Sequence, residues 1–286
     1  MRLSPTLYGK TVEYEKARLA AHPMERELTL RAICQALATP GTKPTARKRI
    51  ADVGGGPGML AFALADEGRY VDLIDLSPDL IRVAEAEQQR RSAADDNQAL
   101  LASIGVGNAL DRTALASDSY DAVLLLGPLY HLLEVTERKD AVENALRLAR
   151  PNEGIVFCAF VRMEAHLRDI ALRDPARLAE KRDFYATYLA DGRYQKFNET
   201  LATEVQSFHT NSRDIRQFFQ CHFADTAEHI GLRSTEGILG GGLDTKLTDA
   251  NSEIVKIWAD LMFEEYSWKE EHLGCADHLL AVLRRK

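Results

Sequence analysis

The stretch Asp52-Val53-Gly54-Gly55-Gly56-Pro57-Gly58 sets four glycines directly after an apolar run, and Asp75 stands 21 residues beyond Gly54. Glycines at such a place let the backbone turn tightly and let a ligand lie against bare main chain. One glycine suffices for a tight strand-to-helix turn, so four predict a close-packed partner. An acidic side chain at the carboxyl end of the next strand is placed to accept hydrogen bonds from both hydroxyls of a ribose. Ser77 and Pro78 already supply the cap and first position of the following helix, which leaves Asp75 for the ligand. The loop departs from that of a dinucleotide enzyme. Counting G-x-G-x-x-G from Gly54 puts Met59 where the last glycine is wanted, and Pro57 lacks the N–H that a pyrophosphate would use.

A second group of candidates lies in "LLLGPLYHLLE", residues 124–134. Gly127 and Pro128 make a turn, after which Tyr130 and His131 project near the same pocket. His131 titrates near neutrality, which suits a general base; closing the pocket or hydrogen-bonding to backbone would serve equally for a histidine here. Tyr14 and Arg18 sit one turn apart on a predicted N-terminal helix, where they can close over a ligand, Arg18 reaching a carboxylate. The eight histidines show neither H-x-x-x-H nor H-E-x-x-H spacing, so no catalytic metal is expected.

These residues need elements to hold them. From Ile50 to Val161 short apolar runs (50–53, 71–74, 100–106, 122–126, 155–161) alternate with helical stretches near 58–67, 78–94 and 136–149, the last with Thr136 as its cap. Such alternation predicts parallel strands with right-handed crossovers and helices on both faces. Residues 1–45 read as helical, with Leu19, Leu28, Leu30, Ile33 and Leu37 on roughly one face. Residues 163–230 read as helices and loops, an insertion between the fifth and sixth strands. A strand at 231–239, a helix near 250–267 and a strand at 278–285 close the chain. The insertion holds Phe184, Tyr185, Tyr188, Tyr194, Phe197, Phe208 and His209; at helical spacing such aromatics predict core before ligand cage.

Taken together, the acidic-x-G-x-G-x-G loop, Asp75, Asn108-Ala109 after the third strand and "ARPNEG" before the fifth resemble the class I S-adenosylmethionine-dependent methyltransferases. "EYEKARL", "ERELTLR", "LLLGPLYHLLE" and "DHLLAVLRR" are similar to a small-molecule subgroup with an N-terminal helical segment. The resemblance covers about residues 46–161 by motif and the last two strands by layout. It implies an α/β fold, a doubly wound, Rossmann-like seven-stranded sheet whose last strand is antiparallel. It also implies four parts: a helical cap (1–45), a cofactor-binding core (46–162), a helical lid for the acceptor (163–230) and the closing strands (231–286). The implied cofactor is S-adenosylmethionine, leaving as S-adenosylhomocysteine. The residues implied for it are Tyr14, Arg18, Gly54, Gly55, Gly56, Asp75, Leu76, Asn108, Ala109 and Leu126, with His131 and Tyr130 at the reacting methyl. Asn108 stands where the family usually has an aspartate; its amide oxygen still accepts from an adenine amine. The family's amide-directed members carry Asp/Asn-Pro-Pro-Tyr where this chain has Gly127-Pro128-Leu129-Tyr130, which disfavours nucleobases and protein glutamine as acceptors.

Bulk properties narrow the classes further. Lys and Arg number 36 against 43 Asp and Glu, a net charge of −7, which argues against nucleic acid as a partner. No apolar run approaches a membrane span and no signal-peptide core opens the chain. Cys34, Cys158, Cys221 and Cys275 are too scattered for a disulfide framework, which suits a cytoplasmic protein. The expected partner is a small-molecule acceptor, reacting through O, N, C or S; the sequence sets no oligomeric state. The competing expectations are a non-catalytic cofactor-binding member of the fold and an NAD(P)-dependent reductase.

Overall fold

The computed structural model describes residues 20–38, 47–94, 98–198 and 203–286. Helix α1 (Pro23–Leu37) precedes the alternating core: β1 (Arg49–Val53), α2 (Met59–Asp66), β2 (Tyr70–Asp75), α3 (Pro78–Ala93), β3 (Ser103–Val106), β4 (Ala122–Leu125), a 3₁₀ turn (Pro128–His131), α4 (Val135–Leu148) and β5 (Ile155–Arg162). Strands β1 to β5 all run parallel, in the order β3-β2-β1-β4-β5. The near-continuous apolar runs of β1, β2, β4 and β5 follow from burial on both faces. On one face α4 covers Val123, Leu125 and Val156; on the other α1 and α2 cover Ile50, Leu124 and Phe157.

Helix boundaries follow local chemistry. The Ser77 hydroxyl accepts from the Leu80 amide and Pro78 takes the first helical position, as the sequence predicts. Thr136 does not cap α4. The helix begins one residue earlier, after an extended Glu134 that makes no side-chain cap bond.

After β5 come α5 (Met163–Arg173), α6 (Arg177–Glu180), α7 (Arg182–Asp191), β6 (Arg193–Asn198), β7 (Thr203–Thr210) and α8 (Ser212–Phe223). The insertion is therefore mixed, not helical: β6 and β7 form an antiparallel hairpin pairing Arg193 with Phe208 and Asn198 with Thr203. The chain then continues through β8 (Ala227–Ser234), α9 (Ser252–Leu261), a π turn (Met262–Tyr266), α10 (Glu270–Leu273) and β9 (His278–Arg285). Strand β8 thus starts and stops earlier than the predicted 231–239. Strand β9 lies antiparallel between β5 and β8, completing seven core strands to which the hairpin adds two.

The hairpin's attachment matters most for the site. Val161 and Arg162 at the end of β5 pair in parallel with His209 and Thr210 of β7. Val161 pairs on its other side with His278 of β9, and β4 has already ended opposite Cys158. Strand β7 therefore occupies the position that β4 vacates, and raises the insertion as a wall on the carboxyl edge of the sheet.

Core packing predicts a sharp contrast in cost. Leu283 is fully buried in β9 between two partner strands, so Leu283→Ala is expected to lower stability by about 2–5 kcal/mol in urea denaturation. Leu189 on α7 is half exposed, and Leu189→Ala is expected to stay within about 0.5 kcal/mol of the parent.

Candidate functional site

In the order β3-β2-β1-β4-β5 the chain reverses direction across the sheet between β1 and β4, and a doubly wound sheet opens a crevice at such a point. The glycine loop follows β1 and the Leu126-Gly127-Pro128 turn follows β4, so both sequence-predicted groups meet there. A Cβ built on Gly54 would lie 2.6 Å from Pro128 Cγ, and one on Gly127 would lie 3.1 Å from the Gly54 carbonyl and 3.9 Å from the Tyr130 hydroxyl. The two loops thus touch, with Tyr130 beside their junction. The rings of Tyr130 and His131 are 4.7 Å apart and inclined by 57°.

The glycines have reasons of their own. Gly54, Gly56 and Gly58 adopt φ of +77°, +59° and +81°, a region that L side chains enter only with strain. A Cβ on Gly55 would lie 2.3 Å from the Asp52 carboxylate and 2.5 Å from Leu73. All four positions therefore require glycine before any ligand arrives, and glycine density alone is not the sign of a partner that the sequence suggests. Gly56 differs from the rest: a Cβ there would meet nothing closer than Leu80 at 3.9 Å, so its bare side faces open space.

Asp75, at the end of β2, ties this loop to its surroundings. One carboxylate oxygen accepts from the Gly56 amide at 2.9 Å and the other from the Ser77 amide at 2.8 Å. Its carbonyl accepts from Gly107. Asp75 is thus buried and oriented at the end of β2. Leu76 beside it is half-buried, as are Ala109 and Leu126. Asn108 sits on the loop after β3, where its side-chain oxygen accepts from the Leu110 amide at 3.0 Å in a local turn. Asn144 of α4 donates to the Ala109 carbonyl at 2.7 Å and fixes that loop. Tyr14 and Arg18 lie outside the described residues, as does Leu19.

Three features of the site escape sequence reading. Asp52, in the acidic position of the glycine motif, is almost fully buried, and burial first and the charge of Asp75 second push it up to about 7. Arg138 of α4 donates to the carbonyls of Leu132 and Leu133 at 2.6 and 2.9 Å, and its guanidinium lies 3.6 Å from the centre of the Phe208 ring. It joins the turn carrying Tyr130 and His131 to the insertion's β7. Glu236, between β8 and α9, is buried against His278 at the start of β9.

Phe184, Tyr185, Tyr188 and Tyr194 of the insertion form the lobe's own core, as their spacing predicts, while Phe208 packs under Arg138 and the Phe197 side chain lies outside the described ones. Tyr185, Tyr188 and Ile170 are buried, with Phe184 and Tyr194 packed against them. The Tyr188 hydroxyl lies 2.8 Å from His209 Nδ1, and Ser207 Oγ lies 2.8 Å from Nε2. Burial first, then the neighbouring His166 and His278, hold His209 down to about 3, so it is neutral.

The Asp52 environment fixes a pH dependence. The folded protein binds this proton more readily than the unfolded chain. The group's contribution to stability is therefore full below the ordinary value of 3.8 and is lost as pH rises towards 7. Asp52→Asn is expected to flatten the stability profile between about pH 4 and 7 and to raise stability relative to the parent at pH 8. Urea midpoints measured across that range check this; a slope as steep in the variant as in the parent contradicts it.

Comparison with known proteins agrees with this architecture. A family model described as "Methyltransferase domain" matches residues 50–152, from β1 to the turn before β5. No curated protein matches the chain. Among solved structures, a SAM-dependent methyltransferase from Methanosarcina mazei shares 17% identity over 88% of this chain and 96% of that one, with a TM-score of 0.57. The PH0226 protein from Pyrococcus horikoshii OT3 shares 15% identity over 100% and 97%, with a TM-score of 0.53. The CcbJ methyltransferase from Streptomyces caelestis shares 16% identity over 92% and 96%, also at 0.53. These likenesses carry the fold, and the family match carries the domain. With its glycine loop and the buried Asp75 at the switch point of the sheet, the chain carries, at residues 50–152, a methyltransferase domain.

Proposed function

We propose that this methyltransferase acts on a small-molecule acceptor, held between the glycine-loop crevice and the lobe of residues 163–210. The observation that carries the reading is the wall made by β7, which stands where β4 ends and faces the turn bearing Tyr130 and His131. An edge walled on one side suits a compact acceptor better than a duplex or a protein surface. The chain's net charge of −7 points the same way.

The residues present fit the cofactor. Asp75 is buried, pre-oriented by two amides and placed at the end of β2 for the ribose hydroxyls. The bare side of Gly56 leaves room for the ligand against main chain. Gly54 and Gly55 shape the loop, while Leu76, Asn108 and Ala109 line the adenine side and Leu126 the methionine side. Tyr14 and Arg18 retain their sequence-based role as a closing pair. When bound, S-adenosylmethionine supplies an electrophilic methyl group on a sulfonium.

The chain's own residues then have three tasks: to align the acceptor, to exclude water and to manage any proton the acceptor loses. Tyr130 and His131 form the wall beside the reacting methyl, with Leu129 buried beneath them as their anchor. Arg138, gripping the two carbonyls after His131 and resting on Phe208, holds that wall against the lobe. Burial lowers Arg138 to about 10, and it stays cationic at neutral pH. The lobe behind that wall has a core of its own, Ile170, Tyr185 and Tyr188 with Phe184 and Tyr194 packed against them.

Two measurements test the reading. Incubation with methyl-labelled S-adenosylmethionine and a size-fractionated extract of source cells is expected to place label in the low-mass fraction; label confined to macromolecules would overturn the acceptor class. In calorimetric titration with S-adenosylhomocysteine, Asp75→Ala is expected to bind roughly ten- to a hundredfold more weakly than the parent, from the loss of hydrogen bonds to a charged acceptor. Equal affinity in the two proteins would remove Asp75 from the site.

A further inference from the structure

Helix α9 is apolar on two sides and packed on one. Of its ten residues six are apolar: Ile254, Val255, Ile257, Trp258, Ala259 and Leu261. Ala259 is buried and Val255 half-buried, in a cluster with Met24 and Leu28 of α1 and Met262 of the π turn. The other four lie to one side of that contact and stand 39–62% exposed. A helix that packs one face ordinarily keeps its apolar residues there. Helix α8 does so: Ile215, Phe219 and Phe223 are buried, and Arg213, Gln217 and Gln220 are exposed. In α9, Ile254, Ile257, Trp258 and Leu261 are spaced i, i+3, i+4 and i+7, which sets them in one stripe along the helix. Together they expose roughly 400 Å² of largely apolar surface, the size at which a contiguous patch on a soluble protein marks an interaction site.

The stripe is symmetric about its own middle. The midpoint between Ile257 and Trp258 is also the midpoint between Ile254 and Leu261. A two-fold axis crossing the helix there lays a second α9 antiparallel upon the first. Ile254 then stands opposite Leu261 of the second copy, and Ile257 opposite its Trp258. Every apolar side chain meets an apolar one, in both directions at once, as an isologous contact requires.

The charges agree with this order. Lys256 and Asp260 are one helical turn apart on the same flank of the stripe, and the same axis brings Lys256 beside Asp260 of the second copy. Lys256 has no ion pair among the described residues. Asp260, already 2.8 Å from Arg31, keeps a side chain 62% exposed. A parallel pairing would set like charges against each other on that flank, which costs affinity. A standard interface takes about 800 Å² from each partner, so the stripe supplies about half and its flanks the rest.

We propose that the protein is a homodimer in which the α9 stripes of two copies pack antiparallel across a two-fold axis. None of these residues takes part in the methyl transfer proposed above, and the pairing is independent of the acceptor.

Sedimentation equilibrium of the full-length protein over a range of micromolar concentrations tests this. The parent is expected at twice the chain mass of 31.9 kDa. Ile257→Glu places a carboxylate against Trp258 of the second copy and is expected to raise the dissociation constant about a hundredfold or more. Its far-ultraviolet circular dichroism is expected to match the parent's, since Ile257 is an exposed position in the single chain. Leu189→Glu, at a half-exposed leucine of α7, is expected to leave the dissociation constant within about twofold. Oxidation is expected to link two chains of the double variant Ile254→Cys, Leu261→Cys. It is not expected to link chains of Ile254→Cys alone, because the antiparallel pair holds the two copies of that position about 10 Å apart along the helix axis. A parent that stays monomeric at every concentration overturns the proposal, as does a dimer that survives Ile257→Glu. Cross-linking by Ile254→Cys alone overturns the antiparallel order.

Discussion

The site depends on one carboxylate. Asp75 spans from the Gly56 amide to the Ser77 amide and so joins the glycine loop after β1 to the start of α3 after β2. Its own carbonyl receives the Gly107 amide, which adds the loop after β3. Three successive strand ends are registered through a single residue. That residue is also buried beside a second acid, Asp52, whose pKa is pushed up to about 7 by its own burial first and by the charge of Asp75 second. The crevice is thus built around an electrostatic tension: the anion that organises it raises the cost of ionising its neighbour.

What the sequence made legible was what backbone burial dictates. Strands β1, β2, β4, β5 and β9 are doubly buried, so their apolar runs are continuous and their limits fall within a residue or two of the predicted ones. Ser77-Pro78 marked its helix start because side-chain capping is local chemistry. The meeting of Gly54 with Pro128 at the switch point follows from the order β3-β2-β1-β4-β5, which the alternation of strand and helix does not fix by itself.

The misses have a common cause. The β6–β7 hairpin is held by two registered pairs to the end of β5 and by its partner strand, so its sequence carries little apolar patterning, and the aromatics just before it sit at helical spacing. Thr136 is a good capping residue by type, but α4 enters through an extended Glu134 whose carbonyl already bonds Arg138. Glu236 and His278 are 42 positions apart and acquire meaning only when β8 and β9 are zipped together. Arg138 reads as an ordinary helical arginine until Phe208 arrives from a strand seventy residues away. Contacts of this kind leave no periodicity behind.

The glycine loop has a thermodynamic consequence. Its three left-handed residues, and the bonds from the Gly54 and Gly55 amides to the Ile74 carbonyl, hold the turn in shape through the chain's own sterics and hydrogen bonds. The conformational entropy of ordering that segment is surrendered when the protein folds, not when a ligand arrives. Association at this crevice therefore resembles the filling of a rigid mould. Ligand affinity there reports contact chemistry almost undiluted by loop ordering, and the heat-capacity change of binding reflects the ligand's own buried surface.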